Sequence, residues 1–579
     1  MADAMLQPAS GSVSPLPDDT RSSPDHRHLD LIQASQDALA AAHVIFSKRN
    51  KVSHKAHKAA WEHLPGGNTR TVLHASPFPL TFLSGRGSTI LSLDGREYVD
   101  FLGEYTAGIY GHSNPTIRAA LNKALDNGWN FGGNNLYEKE LAKLVCERFS
   151  PTMELVRFTN SGTEANMLAI ATAVAWTGKK KILAFESGYH GSTIGFRMPP
   201  AKRSVNLPHE WVVGKYNDVV STANVLASLE GDSLAAIIVE PMLGSGGAIP
   251  GTLEFLSFLR EAATIYGAVF IFDEVMTSRL GYRGLGHKLG IQPDLMTLGK
   301  WVGGGMSFGA FGGRREIMNM YDPVTKVLTH AGTFNNNVMS MAAGCAGMKL
   351  LDEEAMERLN NKGEKLKSKV NGLLCKYELQ QSEEDVSNEF GSHSNGTNGY
   401  TNGHSKGITN GNANGHTNGT TNGHVDGQTN GHTNGHANDT ANGHTNGVTN
   451  GTVNGVTNGA AKLDISSTSE DFATGITNGH SNGTYDVQPS APRPAPMMWM
   501  SGIGSILQIH FADLPSRPPT VKAALQSLFY LNMIQEGMYM AERGFIALNI
   551  EITDEHIDKF VAATGVFVEK YKTLITAKQ

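Results

Sequence analysis

Residues 156–166 read Val-Arg-Phe-Thr-Asn-Ser-Gly-Thr-Glu-Ala-Asn. A short β-type run enters a Ser-Gly-Thr loop, and the apolar positions Met167, Leu168, Ile170, Ala171 and Val174 then recur at helical spacing. A strand that passes straight into a helix is the repeating unit of a mostly parallel sheet covered by helices. Backbone N–H groups of the loop and first helical turn would point at one spot, with the hydroxyls of Ser161 and Thr163 beside them. An anion can be held there without a lysine. The same residues also suit an ordinary Ser/Thr cap with Glu164 in the first turn, so this stretch alone leaves both readings open.

Downstream, residues 181–185, 235–239 and 268–272 are apolar apart from Lys181 at one end, as strands buried on both faces should be. Each ends in polar chemistry: Glu186-Ser187-Gly188-Tyr189-His190-Gly191, then Glu240-Pro241, then Asp273-Glu274-Val275. In open α/β sheets ligands collect at the carboxyl ends of strands, so these ends should share a crevice. The phrase Leu298-Gly299-Lys300-Trp301-Val302-Gly303-Gly304-Gly305-Met306 follows, one lysine beside a glycine run. A solvated lysine needs no such neighbours. One that bonds covalently to a planar cofactor needs backbone that bends sharply and leaves room.

Upstream, residues 1–30 are rich in Ser, Pro, Asp and Ala and are expected to be a disordered leader. A helix is predicted over 30–63. The turn-rich Leu64-Pro65-Gly66-Gly67-Asn68-Thr69-Arg70 delivers an arginine, and 80–83, 89–93 and 98–102 read as a small antiparallel meander. The glycine-punctuated loop 104–112 leads into a helix over 115–126. Beyond helices at 336–351 and 353–377, residues 382–492 repeat Asn, Gly, His and Thr, with only Lys406, Asp426 and Asp439 charged between Gly391 and Ala460. Such a segment cannot bury enough apolar surface to offset its ordering entropy and is predicted to be disordered. Its histidines, among them His416, His424, His432 and His436, lack supporting carboxylates or cysteines, and no metal site is expected. A strand at 505–511, a helix at 520–536, an extended segment at 545–552 and a helix at 554–571 close the chain.

The formal charge of −6 over 579 residues offers no basic field for nucleic acid. Three scattered cysteines, Cys146, Cys345 and Cys375, make no disulfide framework, and no apolar run is long enough to span a membrane. A soluble cytoplasmic protein is expected.

Ser161-Gly162-Thr163, Tyr189, Asp273 and Lys300 together supply an anion cradle, a stacking ring, a carboxylate and an amine, which is what pyridoxal 5′-phosphate requires. With Gly66 to Arg70, Glu104 to His112, Asn160 to Ala165, Gly188 to Gly191, Phe272 to Thr277, Leu298 to Gly313 and Gly332 to Asn335, the chain resembles the class III (subgroup II) aminotransferases of fold type I. Within them it resembles the branch of glutamate-1-semialdehyde aminomutase and the aromatic β-amino-acid aminotransferases.

The resemblance implies an α/β fold with a large cofactor domain over 106–340. A smaller α+β domain is implied from 31–105, 341–381 and 493–579, interrupted by the 382–492 insertion. It implies that Lys300 forms the cofactor Schiff base and moves the substrate proton, and that Asp273 keeps the ring nitrogen protonated. Tyr189 and Val275 would flank the ring. Ser161, Gly162 and Thr163 would hold the phosphate, with Glu240 also among the cofactor contacts and Thr333 reaching the phosphate from a neighbouring subunit of a homodimer. Arg70 matches the arginine for the substrate carboxylate, and Arg543 the one for the carboxylate of the keto-acid acceptor. The expected activity is amino transfer from a β-amino acid to a keto acid. Intramolecular transfer of the aminomutase kind is the alternative, and an inactive scaffold ranks below both. The aminomutase branch usually has Thr-Gly-Phe-Arg where this chain has Thr277-Ser278-Arg279-Leu280, which favours the transaminase.

Overall fold

The central sheet has seven strands, seen here in a computed structural model that describes residues 24–198, 200, 202–380 and 496–577. From one edge the order is Leu155–Thr159, Gly309–Gly313, Leu295–Gly299, Val269–Asp273, Leu234–Val239, Lys181–Phe185 and Glu210–Gly214. All neighbours are parallel except at Gly309–Gly313, which runs antiparallel to both of its partners. The four strands from Gly309–Gly313 to Leu234–Val239 are buried along their whole length, as expected of a sheet covered on both faces. The strands expected at 156–159, 181–185, 235–239 and 268–272 stand within a residue of those positions.

Glu210–Gly214, Leu295–Gly299 and Gly309–Gly313 were not foreseen. The last reads Gly-Ala-Phe-Gly-Gly, a composition that strand propensity rejects. A Cβ at Gly309 would lie 2.1 Å from the Ser161 carbonyl oxygen, one at Gly312 2.1 Å from that of Leu155, and one at Gly313 2.1 Å from that of Asp294. Close approach to its neighbours therefore outweighs propensity in this strand.

Helix Gly162–Thr177 starts where the first sheet strand ends. Ser161 caps it by accepting from the Glu164 N–H at 3.2 Å, and Gly178, at φ +69°, stops it. Its Ala165, Ala169, Ile170 and Ala173 pack on Ile182, Ile238 and Ile271 on one side of the sheet. On the other, Phe255, Leu256 and Leu259 of helix Leu253–Ile265 cover Ile237, Val239, Phe270 and Phe272.

The helix expected over 30–63 is two helices, Pro24–Arg49 and Lys51–Trp61. Asn50 breaks it with φ −127° and ψ 48°, and Asp94 supplies the new N-terminus with acceptors for the N–H groups of Val52 (2.7 Å) and Ser53 (3.1 Å). A tertiary cap of that kind leaves no mark in the local pattern. The meander Phe82–Arg86, Thr89–Ser92 and Glu97–Asp100 gains a parallel fourth strand, Met538–Tyr539, so segments far apart in sequence share one sheet. Near the C-terminus, Met498–Ile503, Ile506–Phe511 and Phe545–Ala547 form an antiparallel sheet, the last much shorter than the extended segment expected at 545–552. Phe101, Phe529, Phe560 and Phe567 belong to the core that joins these parts. Among the described residues no helix is long and apolar enough to cross a membrane. Most of the expected leader and the whole 382–492 insertion lie outside the described residues.

Two glycine substitutions should move stability in opposite directions. Gly312→Ala places its methyl against backbone and should lower stability by about 3 kcal/mol. Gly372→Ala, inside helix Glu353–Lys376 with nothing within 4 Å of the new methyl, should raise it by about 0.5–1 kcal/mol. Melting temperatures of the two variants check the signs.

Candidate active site

Asp273 ends the strand Val269–Asp273 and is buried beside Thr297 of the next strand. Its Oδ2 accepts from Asn166 Nδ2 at 2.8 Å and lies 2.8 Å from His190 Nδ1. Its Oδ1 accepts from the Val275 N–H at 3.0 Å and from Thr297 Oγ1 at 3.4 Å. Asn166 is fixed in turn, donating to the His190 carbonyl at 3.0 Å and accepting from Thr297 Oγ1 at 2.7 Å. A carboxylate with both oxygens held this way cannot turn.

Glu240, at the end of the neighbouring strand, spends both oxygens on backbone: Oε1 accepts from the Tyr189 N–H and Oε2 from the Gly244 N–H, each at 2.9 Å. Burial pushes its carboxyl up to about 7; His190 and the two N–H groups act against the rise and Asp273 adds to it. Glu240 thereby fixes the backbone that presents Tyr189, whose ring is half-exposed. Glu274 is also fully buried. It accepts from the N–H groups of Gly286 (2.8 Å) and Leu285 (2.7 Å) and from Thr277 Oγ1 (3.1 Å), and burial raises its carboxyl to about 7.

The Ser-Gly-Thr loop closes on residues remote in sequence. A Cβ at Gly162 would lie 2.8 Å from Val275 Cγ1, one at Gly299 3.2 Å from the same atom, and one at Gly191 2.5 Å from Thr163 Oγ1. Glu164 ties the loop from below, its Oε2 accepting from the N–H (2.7 Å) and side-chain amide (3.1 Å) of Asn160. The N–H groups of Gly162 and Thr163 belong to the first turn, where a helix offers them no partner of its own.

Lys300 follows the strand Leu295–Gly299, next to the strand of Asp273, and holds φ +55°. That left-handed conformation is strained for a residue with a side chain. Gly304 and Gly305 turn the chain away at φ +66° and +85°, and a Cβ at Gly304 would lie 2.3 Å from the Ala343 carbonyl oxygen. Loss of water lowers the Lys300 amine to about 8; Asp273 and Glu240 oppose the shift, while Arg279 and Arg543 add to it.

Arg70 and Arg543 both lie near Tyr105, and Arg543 also acts on Lys300. Arg70 Nη1 lies 2.8 Å from Glu104 Oε1. Arg543 donates to the Ser245 carbonyl at 2.9 Å, and its guanidinium sits 4.7 Å above the Phe545 ring. Tyr105 connects them: its ring stacks on Phe545 with centroids 6.0 Å apart, and its hydroxyl donates to the Val72 carbonyl at 2.9 Å. Thr333 is exposed, on a loop tied to Asn160 through Asn335 Oδ1 at 3.0 Å.

Sequence reasoning did not single out Asn166, Thr297, Glu274 or Glu104 as site residues. Asn166 had a signal, being a polar side chain on a helix face otherwise made of alanine and isoleucine. Thr297 lies in a wholly buried strand, where a hydroxyl needs a partner.

Comparison with known proteins places the chain in a family. Residues 73–383 match the model of the aminotransferase class-III family. Over 547 residues the chain is 37% identical to the β-phenylalanine transaminase of Variovorax paradoxus, covering 94% of this chain and 98% of that one. It is 37% identical over 344 residues to a glutamate-1-semialdehyde 2,1-aminomutase of Geobacillus kaustophilus, covering 56% of this chain and 79% of the relative. The crystal structure of the Variovorax β-phenylalanine aminotransferase aligns with a TM-score of 0.69 at 36% identity, over 93% of this chain and 99% of that chain. A glutamate-1-semialdehyde aminomutase structure from Pseudomonas aeruginosa aligns at 0.66 with 15% identity, which bears on the fold alone. The chain therefore belongs to the class-III aminotransferases, fold type I enzymes that work with pyridoxal 5′-phosphate.

Proposed function

We propose that this aminotransferase takes its amino group from a β-amino acid and delivers it to a 2-oxo acid, with Lys300 as the covalent anchor of the cofactor. The observation that carries the reading is the pair of guanidinium groups, Arg70 and Arg543, that both lie near Tyr105, whose ring stacks on the Phe545 ring beneath Arg543. A donor and an acceptor each bring a carboxylate, and planar guanidinium groups suit both. Intramolecular transfer needs no second acceptor site. The similarity to the β-phenylalanine transaminase along nearly the whole chain supports the same choice.

The residues fit the cofactor. Gly162, Gly191 and Gly299 hold open a cradle that a Cβ would fill, with Val275 against it. Bound there, pyridoxal 5′-phosphate supplies an aldehyde and an electron-withdrawing ring. The chain supplies the rest. The N–H groups of Gly162 and Thr163, with the hydroxyls of Ser161 and Thr163, hold the phosphate. Asp273, locked by Asn166 and His190, holds a proton at the ring nitrogen; Tyr189 and Val275 bracket the ring. Lys300, lowered to about 8, presents a larger share of neutral amine near pH 7 than an ordinary lysine, which suits it to attack a carbonyl carbon and then to carry the substrate proton.

The enzyme is a homodimer in this reading, with Thr333 reaching the phosphate of the neighbouring subunit. Trp129, Phe131, Leu136 and Phe334 are all exposed, and Asn135 and Asn336 tie the first three to the loop of Phe334 through bonds of 2.9 and 3.3 Å. Apolar side chains gathered like this usually meet a partner. We assign the catalytic core to 106–340 and the smaller domain to 31–105, 341–381 and 493–579, in a cytoplasmic protein.

In cofactor-free protein, acylation of Lys300 followed by peptide mapping should show a rate that rises with pH to a midpoint near 8. Surface lysines should follow at ~10.4; a midpoint shared with them would count against the assignment of Lys300. With a β-amino acid as donor, oxo product should form only when 2-oxoglutarate or pyruvate is supplied, and product without either would overturn the transaminase reading. Arg543→Ala should raise the KM for the oxo acid by about 10- to 100-fold, the loss expected for one charge-assisted pairing.

A further inference from the structure

The turn Thr277–Arg279 has no part in the chemistry above, yet two of its side chains reach two different segments of the site. Ser278 Oγ accepts from Trp301 Nε1 at 2.9 Å, and Trp301 follows Lys300 directly. Arg279 is fully buried, and its guanidinium donates to the Thr106 carbonyl at 3.3 Å, to Ser505 Oγ at 3.0 Å and to the Leu548 carbonyl. Thr106 closes the short segment that carries Glu104, the partner of Arg70, and Tyr105, the ring near both Arg70 and Arg543.

Both segments held by this turn are strained. Lys300 sits at φ +55°, and Glu104, Tyr105 and Thr106 at +46°, +52° and +84°. Conformations of this kind persist only where the surroundings over-determine them. The acceptors of Arg279 are all neutral, and among the described residues no carboxylate lies within ion-pair distance of it. Burying a cation on those terms is unfavourable, so core packing alone does not account for it. Asn360 completes the fixture, donating to the Arg279 carbonyl and accepting from the Ser505 N–H, each at 3.0 Å.

We propose that Ser278 and Arg279 act as a clip that positions the Lys300 turn and the 104–106 segment against each other, which makes Arg279 a positioning residue for both carboxylate-bearing substrates. The inference rests on the reading of Lys300, Arg70 and Arg543 as parts of the active site. The charge of Arg279 has a second consequence. Lys300 is faced by Asp273 and Glu240, which favour its protonated form, and by Arg543 and Arg279, which oppose it. Removing one cation should make the lysine easier to protonate.

Arg279→Lys keeps the charge and loses the fork, whereas Arg279→Gln loses the charge and keeps donors. Both variants should raise KM for the β-amino acid and for the oxo acid by about tenfold, with kcat within about threefold, as expected for lost positioning contacts. In cofactor-free protein Arg279→Gln should raise the midpoint of Lys300 acylation by about one pH unit, while Arg279→Lys leaves it within about 0.3. Wild-type KM values in either variant, or an unmoved midpoint in Arg279→Gln, would overturn the clip. Where the arginine variants do not fold, Ser278→Ala decides: binding of pyridoxal 5′-phosphate by equilibrium dialysis should weaken about fivefold, and unchanged binding would reject the proposal. The midpoint and the dialysis need no turnover, so they test the clip even if the proposed substrates prove wrong.

Discussion

The carboxylate of Asp273 is where the large sheet and the chemistry meet. Its partners come from helix Gly162–Thr177 through Asn166, from the loop after strand Lys181–Phe185 through His190, from its own strand end through Val275, and from the adjacent strand through Thr297. Strand ends that would otherwise be independent loops are tied to one buried charge. Because Asn166 and Thr297 also bond each other, the carboxylate cannot rotate without breaking several bonds at once. That rigidity suits the role proposed for Asp273, holding one proton at one atom.

Around this point the protein keeps an unusual number of charges away from water. Glu240 and Glu274 are raised to about 7 by burial, and both are satisfied by backbone N–H groups instead of cations. Each carboxylate therefore fixes a turn: Glu240 the backbone of Tyr189, Glu274 the segment at Leu285 and Gly286. Arg279 does the converse with carbonyl oxygens, and its own pKa falls to about 9 through the same loss of water. Buried ions used this way set geometry more than they add stability, since their desolvation offsets much of what their bonds return.

How much of this the chain displayed in advance depends on the distance over which each signal acts. The Ser161-Gly162-Thr163 loop and the strand end at Asp273 were legible because their strands show in the local pattern, whereas Lys300 stood out only by its glycine neighbours, its strand Leu295–Gly299 going unforeseen. The break at Asn50 was not, since the carboxylate that caps the second helix belongs to Asp94. Strand Gly309–Gly313 was hidden for a similar reason, its glycines answering to the carbonyls of Ser161, Leu155 and Asp294. The glycines after Lys300 looked like room for a cofactor. Gly304 in fact makes way for Ala343 of helix Val338–Leu350, so part of that run serves packing behind the site.

Arg70 and Arg543 are not equivalent, and their difference bears on how, in the proposed function, two carboxylates would be told apart. Arg70 and Glu104 expose 47% and 55% of their side chains, and a pair so wet is weak. In the proposed role, a carboxylate would displace Glu104 at little cost, so Arg70 would suit a site that must accept and release one substrate quickly. Arg543 is more enclosed, its partners are the neutral Ser245 carbonyl and Gln508, and burial lowers its pKa. Such a cation, short of water and of an anion, gains more from a carboxylate than Arg70 does. Tyr105 stands between them in a left-handed backbone conformation, so the spacing of the two arginines is set by a segment that Arg279 holds from behind. If the two arginines bind donor and acceptor as proposed, selection between them rests on that spacing as much as on either charge.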